Sequence, residues 1–150
     1  MEEKGRKQAV AGLLGTHRYQ TDPKGRVSLP KGFRAAFSDG VYLTLGQDNC
    51  LFAFPAAQWD RRSDEIRERP LSDAQGRALA RMFFGSAEYV ELDAQGRLLM
   101  PQRLRKLAEV GKEVVVVGVD DRIEIWDATT WDGYWGVHNA AYAAGNLGES

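Results

Sequence analysis

The sequence contains little of the chemistry that secreted proteins and metalloenzymes use. Its 150 residues include one cysteine, Cys50, and two histidines, His17 and His138. A single cysteine excludes an internal disulfide and a zinc site made of several thiolates. No hydrophobic run approaches the roughly 20 residues of a membrane span, and none has the layout of a signal peptide. We therefore expect a cytoplasmic protein without a membrane partner, and we expect no cofactor and no metal site.

Sequence motifs of the common enzyme classes are missing as well. The chain has no G-x-S-x-G nucleophile elbow, no phosphate loop, no dinucleotide-binding glycine pattern and no helical histidine–glutamate metal motif. Asp120 and Asp121 would suit a metal ion, but acids between two strand patterns are more typical of a turn. We predict that the protein is not an enzyme and has no small-molecule substrate. An enzyme on a barrel-like β scaffold is the alternative of this class.

Neither sign of charge dominates the chain, which has 20 Lys and Arg against 21 Asp and Glu and a net charge of -1. Nucleic-acid binding depends, however, on where the charge lies rather than on its total. Residues 18–34 contain five basic residues and one acid, whereas residues 89–105 contain three arginines and two acids. The first of these two windows is therefore the more suitable surface for a polyanion.

The two windows belong to an internal repeat. Asp22–Pro30 and Asp93–Pro101 share one pattern, D-x-x-G-R followed by three residues and a proline, about seventy residues apart. Self-similarity at one offset indicates a duplicated unit. A unit of about sixty residues buries only about 60% of the surface that its unfolded chain exposes, so we expect the two copies to share one core. The match continues through five further pairs: Arg34 with Arg105, Gly46 with Gly118, Asp48 with Asp120, Phe54 with Trp126, and Trp59 with Trp131.

Each copy begins with a turn whose residues specify its geometry. Asp22 suits the first position of a type I turn, Pro23 sets φ at the second, and Gly25 supplies the positive φ that closes a bulged hairpin. We predict that residues 17–21 and 26–29 are the two strands of this hairpin. The residues predicted to shape the two turns are Asp22, Gly25, Asp93 and Gly96.

The remaining patterns predict an α+β fold, mainly β, in which each half has the order β-β-α-β-β. Ser72 and Gln75 have the spacing of a capping box that opens a second connecting helix. A last helix is predicted after Asp127, with a frayed tail from Ala140. The predicted divisions are a flexible leader over residues 1–12, a first repeat with connecting helices over residues 13–84, and a second repeat with the last helix over residues 85–150.

The paired D-x-x-G-R motifs, each inside a β-β-α-β-β unit, resemble those of AbrB-like swapped-hairpin transcription factors. A closer resemblance, covering roughly residues 13 to 135, is to the MraZ family of bacterial regulators. Three segments carry it: Gly15–Pro30, Gly85–Glu88 and Val117–Trp126. By the motif of that family, Asp22 and Arg26 match in the first copy, and Asp93 and Arg97 match in the second, although Gln95 stands where the first copy has Lys24.

The resemblance implies two tandem AbrB-like halves that share one swapped-hairpin barrel core. It also implies a nucleoid-associated protein that binds double-stranded DNA as a ring-shaped homo-oligomer. Such rings sit on short direct repeats before an operon of cell-division and cell-wall genes, and repression of the protein's own promoter is the expected output.

The residues themselves support a DNA-binding role. A rigid turn that presents Lys24 and Arg26 offers a phosphate anchor and a guanidinium able to read guanine O6 and N7. The predicted DNA-binding residues are Arg18, Lys24, Arg26, Lys31, Arg34 and Arg97. The alternative to DNA binding for Arg26 is an ion pair with Asp22 across the turn. Arg34 and Arg105 could instead be ordinary solvated helix residues.

Other side chains have simpler interpretations. We expect the four tryptophans to belong to the core or to a subunit interface, with Trp131, Tyr134 and Trp135 on the buried side of the last helix. Cys50 and His17 are expected to be structural, and His138 to be exposed. A second hypothesis for the whole chain is an oligomeric protein-binding module that sequesters a partner through a helical face carrying Ile66, Leu79 and Met82.

Overall fold

The computed structural model describes residues 12–148. The predicted leader therefore lies outside the described residues, apart from Gly12. The first half contains β1 (Leu13–Gln20), β2 (Arg26–Ser28), α1 (Lys31–Arg34), β3 (Val41–Leu45) and β4 (Cys50–Phe54). Two connecting helices follow, α2 (Ala56–Arg67) and α3 (Ala74–Ser86). The second half contains β5 (Glu88–Val90), β6 (Arg97–Leu99), α4 (Gln102–Leu107), β7 (Glu113–Asp120) and β8 (Ile123–Asp127), and α5 (Ala128–Ala143) comes last. This confirms the predicted β-β-α-β-β order in both halves.

The strands form two antiparallel sheets, and each sheet contains strands from both halves. The larger sheet has six strands in the order β1-β7-β8-β4-β3-β5, and β2 pairs with β6 in a separate two-stranded sheet. The first strand of each half pairs with the third strand of the other, as β1 with β7 and β5 with β3. The fourth strands, β4 and β8, pair at the middle of the larger sheet. The halves are thus related by an internal two-fold pattern.

The prediction of a hairpin between residues 17–21 and 26–29 was wrong about the strand partners. The turn reverses the chain, but β1 pairs with β7, and β2 pairs with β6. The physical reason is burial, because an isolated two-stranded hairpin is at best marginally stable in water. Pairing of strands from different halves places Val27 of β2 directly opposite Leu98 of β6, and both side chains are buried.

A single main core lies between the sheets and the short helices, which confirms that the two copies share one core. It contains Phe33 and Phe37 from the first half and Leu104 and Val110 from the second, so neither half covers its own apolar face alone. Other large side chains that are fully buried also come from both halves: Leu29, Leu43, Leu51, Leu98, Met100, Ile123 and Ile125.

The connecting helices pack on one side of this core. Trp59 of α2 stacks on Tyr42 of β3 and on Phe83 of α3, with ring centroids 5.1 and 4.6 Å apart. The predicted capping box of Ser72 and Gln75 is wrong, because the backbone N–H of Asp73 donates to the carbonyl oxygen of Pro70 in a turn that leaves Ser72 before the helix. Asp73 is therefore the N-cap of α3.

The last helix starts where it was predicted, because the Asp127 carboxylate accepts from the backbone N–H of Thr129. Its burial differs from the prediction. Trp131 packs against Trp126 with ring centroids 5.2 Å apart, but Tyr134 and Trp135 are 36% and 55% exposed. The helix also continues past Ala140 to Ala143. Within residues 12–148, no helix has the length and apolar character needed to cross a membrane.

Candidate nucleic-acid interface

The first turn is organised around the carboxylate of Asp22. Its Oδ1 atom accepts from the backbone N–H groups of Lys24 and Arg26 at 3.0 and 2.8 Å, and its Oδ2 atom accepts from Nε of Arg26 at 2.6 Å. Two backbone hydrogen bonds complete the turn, from Asp22 N to Arg26 O and from Gly25 N to Asp22 O. Gly25 has φ +87°, the left-handed conformation that glycine adopts without strain. Asp22 and Gly25 are two of the residues for which a turn-shaping role was predicted.

The second turn repeats the same hydrogen bonds. Asp93 accepts from the backbone N–H groups of Gln95 and Arg97, each at 2.9 Å, and from Nε of Arg97 at 2.8 Å. Gly96 has φ +76°. The same three contacts to the aspartate, built by the three letters that the motifs share, show that D-x-x-G-R is a local structural unit. The second turn adds a hydrogen bond from Nη2 of Arg97 to Oε1 of Gln95 at 3.3 Å.

Pairing of β2 with β6 brings the two turns onto one surface. Side chains alternate across a strand, so Arg26 and Arg97 lie on the face opposite to the buried Val27 and Leu98. Nη1 of Arg97 lies 4.0 Å from Oδ2 of Asp22, the same atom that binds Arg26. We call this outer face of the β2–β6 pair, together with its two turns, the two-turn surface.

The other predicted DNA-binding residues lie in different settings. Lys24 is exposed in the first turn, and Lys31 is exposed at the start of α1. In the part of the chain that the structure describes, neither ammonium group forms an ion pair. Arg18 instead forms an ion pair with Asp132 of α5, so the carboxylate of Asp132 partly neutralises its positive charge. Arg34 is half-buried and donates from Nε to the carbonyl oxygen of Leu29 at 3.1 Å.

Sequence reasoning missed the true neighbours of Arg34 and Arg105. The guanidinium of Arg34 lies against Gly96 of the second turn, and that of Arg105 lies against Gly25 of the first. Each helix arginine therefore contacts the turn of the opposite half. The only signal in the sequence was that both arginines recur at the same place in the repeat, which does not reveal their partners.

Both aspartates are held in the charged form. The backbone N–H of Arg26 lowers the pKa of the Asp22 carboxyl below its ordinary range; partial burial opposes this shift, and the side chain of Arg26 adds to it. The pKa of Asp93 is lowered in the same way by Arg97. Charged aspartates and their arginines thus form two closely matched ion pairs on the two-turn surface.

This shift predicts an acid-sensitive turn. The pKa of Asp22 in the folded state is below its unfolded value of about 3.9, so the stabilisation is complete above that pH and is lost as the pH falls through the folded-state pKa. Asp22→Asn keeps an oxygen that can accept from backbone amides but has no charge to titrate. We expect the free energy of unfolding, measured by urea titration, to fall less in this variant than in the wild type between about pH 5 and about pH 2. The same pH dependence in both proteins would contradict this prediction.

Residues outside the two-turn surface offer little chemistry. Cys50 is buried and donates to the carbonyl oxygen of Gln47, and burial raises the pKa of its thiol. Asp120 ends β7 and Asp121 lies in the turn before β8, as predicted. In residues 12–148, no group of three or more His, Cys, Asp and Glu side chains is placed to hold a metal ion. His17 packs edge-on against Phe33 in a structural role, and His138 is half-buried against Tyr134 rather than exposed.

The helical face of the protein-binding hypothesis is only partly accessible. Ile66 is buried at 7% exposure, Leu79 is half-buried, and Met82 is 57% exposed. Ile66 packs with Phe54 and Phe83 in a small cluster between α2, α3 and the sheet. This face therefore serves mainly to attach the connecting helices.

Comparison with known proteins agrees with the repeat. A family described as "MraZ protein, putative antitoxin-like" matches residues 13–82 and again residues 83–142. A protein named transcriptional regulator MraZ from Acetivibrio thermocellus is 42% identical over 127 residues, which cover 85% of this chain and 89% of that protein. Proteins of the same name from Natranaerobius thermophilus and Salinispora arenicola are 41% and 42% identical over 81% of this chain, and the matches cover 85% and 86% of those proteins. With both repeats matched and this identity over most of its length, the chain belongs to the MraZ family.

Proposed function

We propose that this protein is a sequence-specific DNA-binding transcriptional regulator that reads promoter DNA with the two-turn surface. The observation that carries the proposal is the placement of Arg26 and Arg97 on one outward face, each beside a rigid turn. Relatives at about 40% identity bear the name of transcriptional regulators, which supports the same class of function. The expected place of action is the cytoplasm, on the nucleoid.

The ion pair between Arg26 and Asp22 is compatible with base reading. Asp22 holds the guanidinium through Nε, and both Nη atoms of Arg26 have no hydrogen bond within residues 12–148. These two Nη groups form the fork that can donate to O6 and N7 of guanine in the major groove. A guanidinium held in advance loses less conformational freedom on binding than a free one. Asp22 thus acts as a positioning group for Arg26.

Lys24 and Lys31 supply the sequence-independent part of the proposed interaction. Their ammonium groups are suited to phosphates, and the gain comes from release of counterions that surround the DNA. Gln95 takes the place of Lys24 in the second turn, so the first turn carries more of this salt-sensitive contribution. The two turns therefore differ in charge although the hydrogen bonds to their aspartates are the same.

One subunit offers too few contacts for firm specific binding, and we propose that a ring-shaped homo-oligomer engages several short direct repeats at once. Linked sites raise the affinity by on the order of a hundredfold or more where their spacing matches the DNA. The proposed target is the promoter of the protein's own operon of division and cell-wall genes, with repression as the result.

Affinity measured against salt concentration tests this function. We expect the protein to bind a duplex containing the direct repeats from upstream of its own gene more tightly than a shuffled duplex. The logarithm of the binding constant should fall linearly with the logarithm of salt concentration. Fluorescence anisotropy with both duplexes at four or more salt concentrations gives this slope. A flat response would favour the protein-binding alternative.

The exposed face of α5 supports self-association. Trp131, Trp135, His138 and Tyr142 follow a four-three-four spacing, which is that of a seam between two helices. Trp135 and Tyr142 are 55% and 75% exposed, and large exposed apolar surfaces on soluble proteins usually mark interaction sites. We therefore assign this face to the contact between subunits.

Replacing Trp135 with aspartate should weaken assembly. Burial of a tryptophan at an interface often contributes 2 kcal/mol or more, and the variant would place a charge where the aromatic ring was. Size-exclusion chromatography with light scattering should show a smaller species at low micromolar concentration. Leu71→Asp is the matched control, because Leu71 is 85% exposed and lies in the connection between α2 and α3. An unchanged mass for Trp135→Asp would exclude α5 from the interface.

A further inference from the structure

Arg34 of α1 and Arg105 of α4 each contact the turn of the opposite half, and we call this the crossed arrangement. A methyl group built on Gly25 would lie 2.7 Å from Cζ of Arg105, and one built on Gly96 would lie 2.6 Å from Cζ of Arg34. These distances are shorter than any normal contact, so each guanidinium lies directly on the backbone of a glycine. Gly25 and Gly96 are both buried, although they belong to turns at the surface.

Hydrogen bonds hold each guanidinium in this place. Nε of Arg105 donates to the carbonyl oxygen of Met100 at 3.0 Å, and the backbone N–H of Met100 donates to the carbonyl oxygen of Gly25 at 3.0 Å. In the other half, Nε of Arg34 donates to Leu29 O at 3.1 Å, and Leu29 N donates to Gly96 O at 3.2 Å. Each arginine is therefore bound to the residue that follows β2 or β6 of its own half, and the backbone N–H of that residue donates to the glycine of the opposite turn.

We infer that Arg34 and Arg105 are positioning residues for the turn of the opposite half, so that Arg105 holds Arg26 in place and Arg34 holds Arg97. The effect on DNA rests on the proposed DNA-binding function, whereas the effect on the turns rests only on the contacts described above. A residue far along the chain thus determines how well the first turn reads a base.

The geometry distinguishes this role from two simpler ones. A solvated helix arginine would extend into water, whereas Arg34 and Arg105 are half-buried with Nε engaged. An arginine that only contacts phosphate would have its guanidinium in solvent, whereas those of Arg34 and Arg105 lie against the glycine of the opposite turn. Arg105 also lines the same groove as Asp22 and Pro23, which places it beside the first turn and not the second.

Amide hydrogen exchange in the free protein tests the crossed arrangement directly. In Arg105→Ala, the backbone amides of Gly25 and Arg26 should exchange about five- to tenfold faster, because the guanidinium that covers Gly25 is lost, while those of Gly96 and Arg97 stay unchanged. Arg34→Ala should show the reverse pattern. Lys106→Ala is the control, because Lys106 is exposed on the same helix as Arg105. Equal changes in both turns, or a change in the same half, would overturn the inference.

Affinity for the promoter duplex distinguishes a positioning role of Arg105 from direct contact between Arg105 and the DNA. Arg105→Ala should weaken specific binding by roughly tenfold without altering the salt slope, because no phosphate contact is lost. Arg105→Lys should behave like Arg105→Ala, since an ammonium cannot form the planar contact with Gly25. A slope reduced by about one, or full rescue by lysine, would mean that Arg105 binds phosphate itself and would overturn the inference.

A double-mutant cycle gives a further check on the pairing. Arg26→Ala combined with Arg105→Ala should cost less in specific affinity than the sum of the two single changes, because both act on one turn. Arg26→Ala combined with Arg34→Ala should be additive. If the wild type binds no duplex at all, the proposed function fails, and the exchange measurement still decides the positioning role.

Discussion

Arg26→Ala should abolish sequence-specific binding to the promoter duplex and leave the assembly intact. A bidentate arginine–guanine contact contributes about 1–3 kcal/mol of discrimination between bases. In the proposed oligomer the change is present in every subunit, so the losses accumulate over all subunits that would engage the DNA at once. The fold should survive, since Asp22 keeps the backbone N–H groups of Lys24 and Arg26 as donors. The ion pair itself contributes little to stability, as is usual for partly exposed pairs.

Gel shifts with the specific and the shuffled duplex, together with size-exclusion chromatography, measure both parts of this prediction. Lys24→Ala is the informative comparison, because it should weaken binding to both duplexes alike and lower the salt slope by about one. Arg67→Ala is the control for loss of a positive charge, since this exposed residue of α2 pairs only with Asp64 within residues 12–148. Wild-type binding by Arg26→Ala would refute the assignment of Arg26 as the base-reading residue.

The two turns were predictable because their geometry is local. Asp22, Pro23 and Gly25 each restrict the backbone through their own side chain or its absence, and these restrictions do not depend on the rest of the fold. The same holds for Asp93 and Gly96, which is why the motif produced the same hydrogen bonds twice.

Strand partners and helix contacts could not be read from the sequence. A strand pattern shows which face is apolar but not which strand lies beside it, so β2 was paired with β1 instead of β6. The sequence around Arg34 and Arg105 does not indicate their partners, and only the exchange of strands between the halves brings them onto Gly96 and Gly25. The aromatic residues of α5 suggested a buried face, but most of this helix after Trp131 is exposed, although Tyr134 still packs against Trp126 of β8. All three differences concern contacts between residues far apart along the chain.

The second large predicted effect is a loss of stability when a residue of the shared core is truncated. Leu98→Ala should lower the free energy of unfolding of the whole chain by about 2–5 kcal/mol, the usual cost of removing a fully buried leucine side chain. Leu98 has no exposed surface and lies opposite Val27 of the first half. The cavity would therefore open between the halves and not inside one of them. A loss of this size is a large fraction of the stability of an ordinary domain.

Urea unfolding followed by amide exchange in both halves measures this effect. The amides of Leu43 in β3 and Ile125 in β8 should lose protection together, because the two halves contribute to one core and unfold in one transition. Leu99→Ala is the matched control: Leu99 is the next residue of the same strand but is 47% exposed, so its replacement should change stability by no more than about 0.5 kcal/mol. If Leu43 kept wild-type protection while Ile125 lost it, the halves would be separate folding units. The inferred positioning of each turn by the arginine of the opposite half would then lose its structural basis, since it requires the two halves to fold as one body.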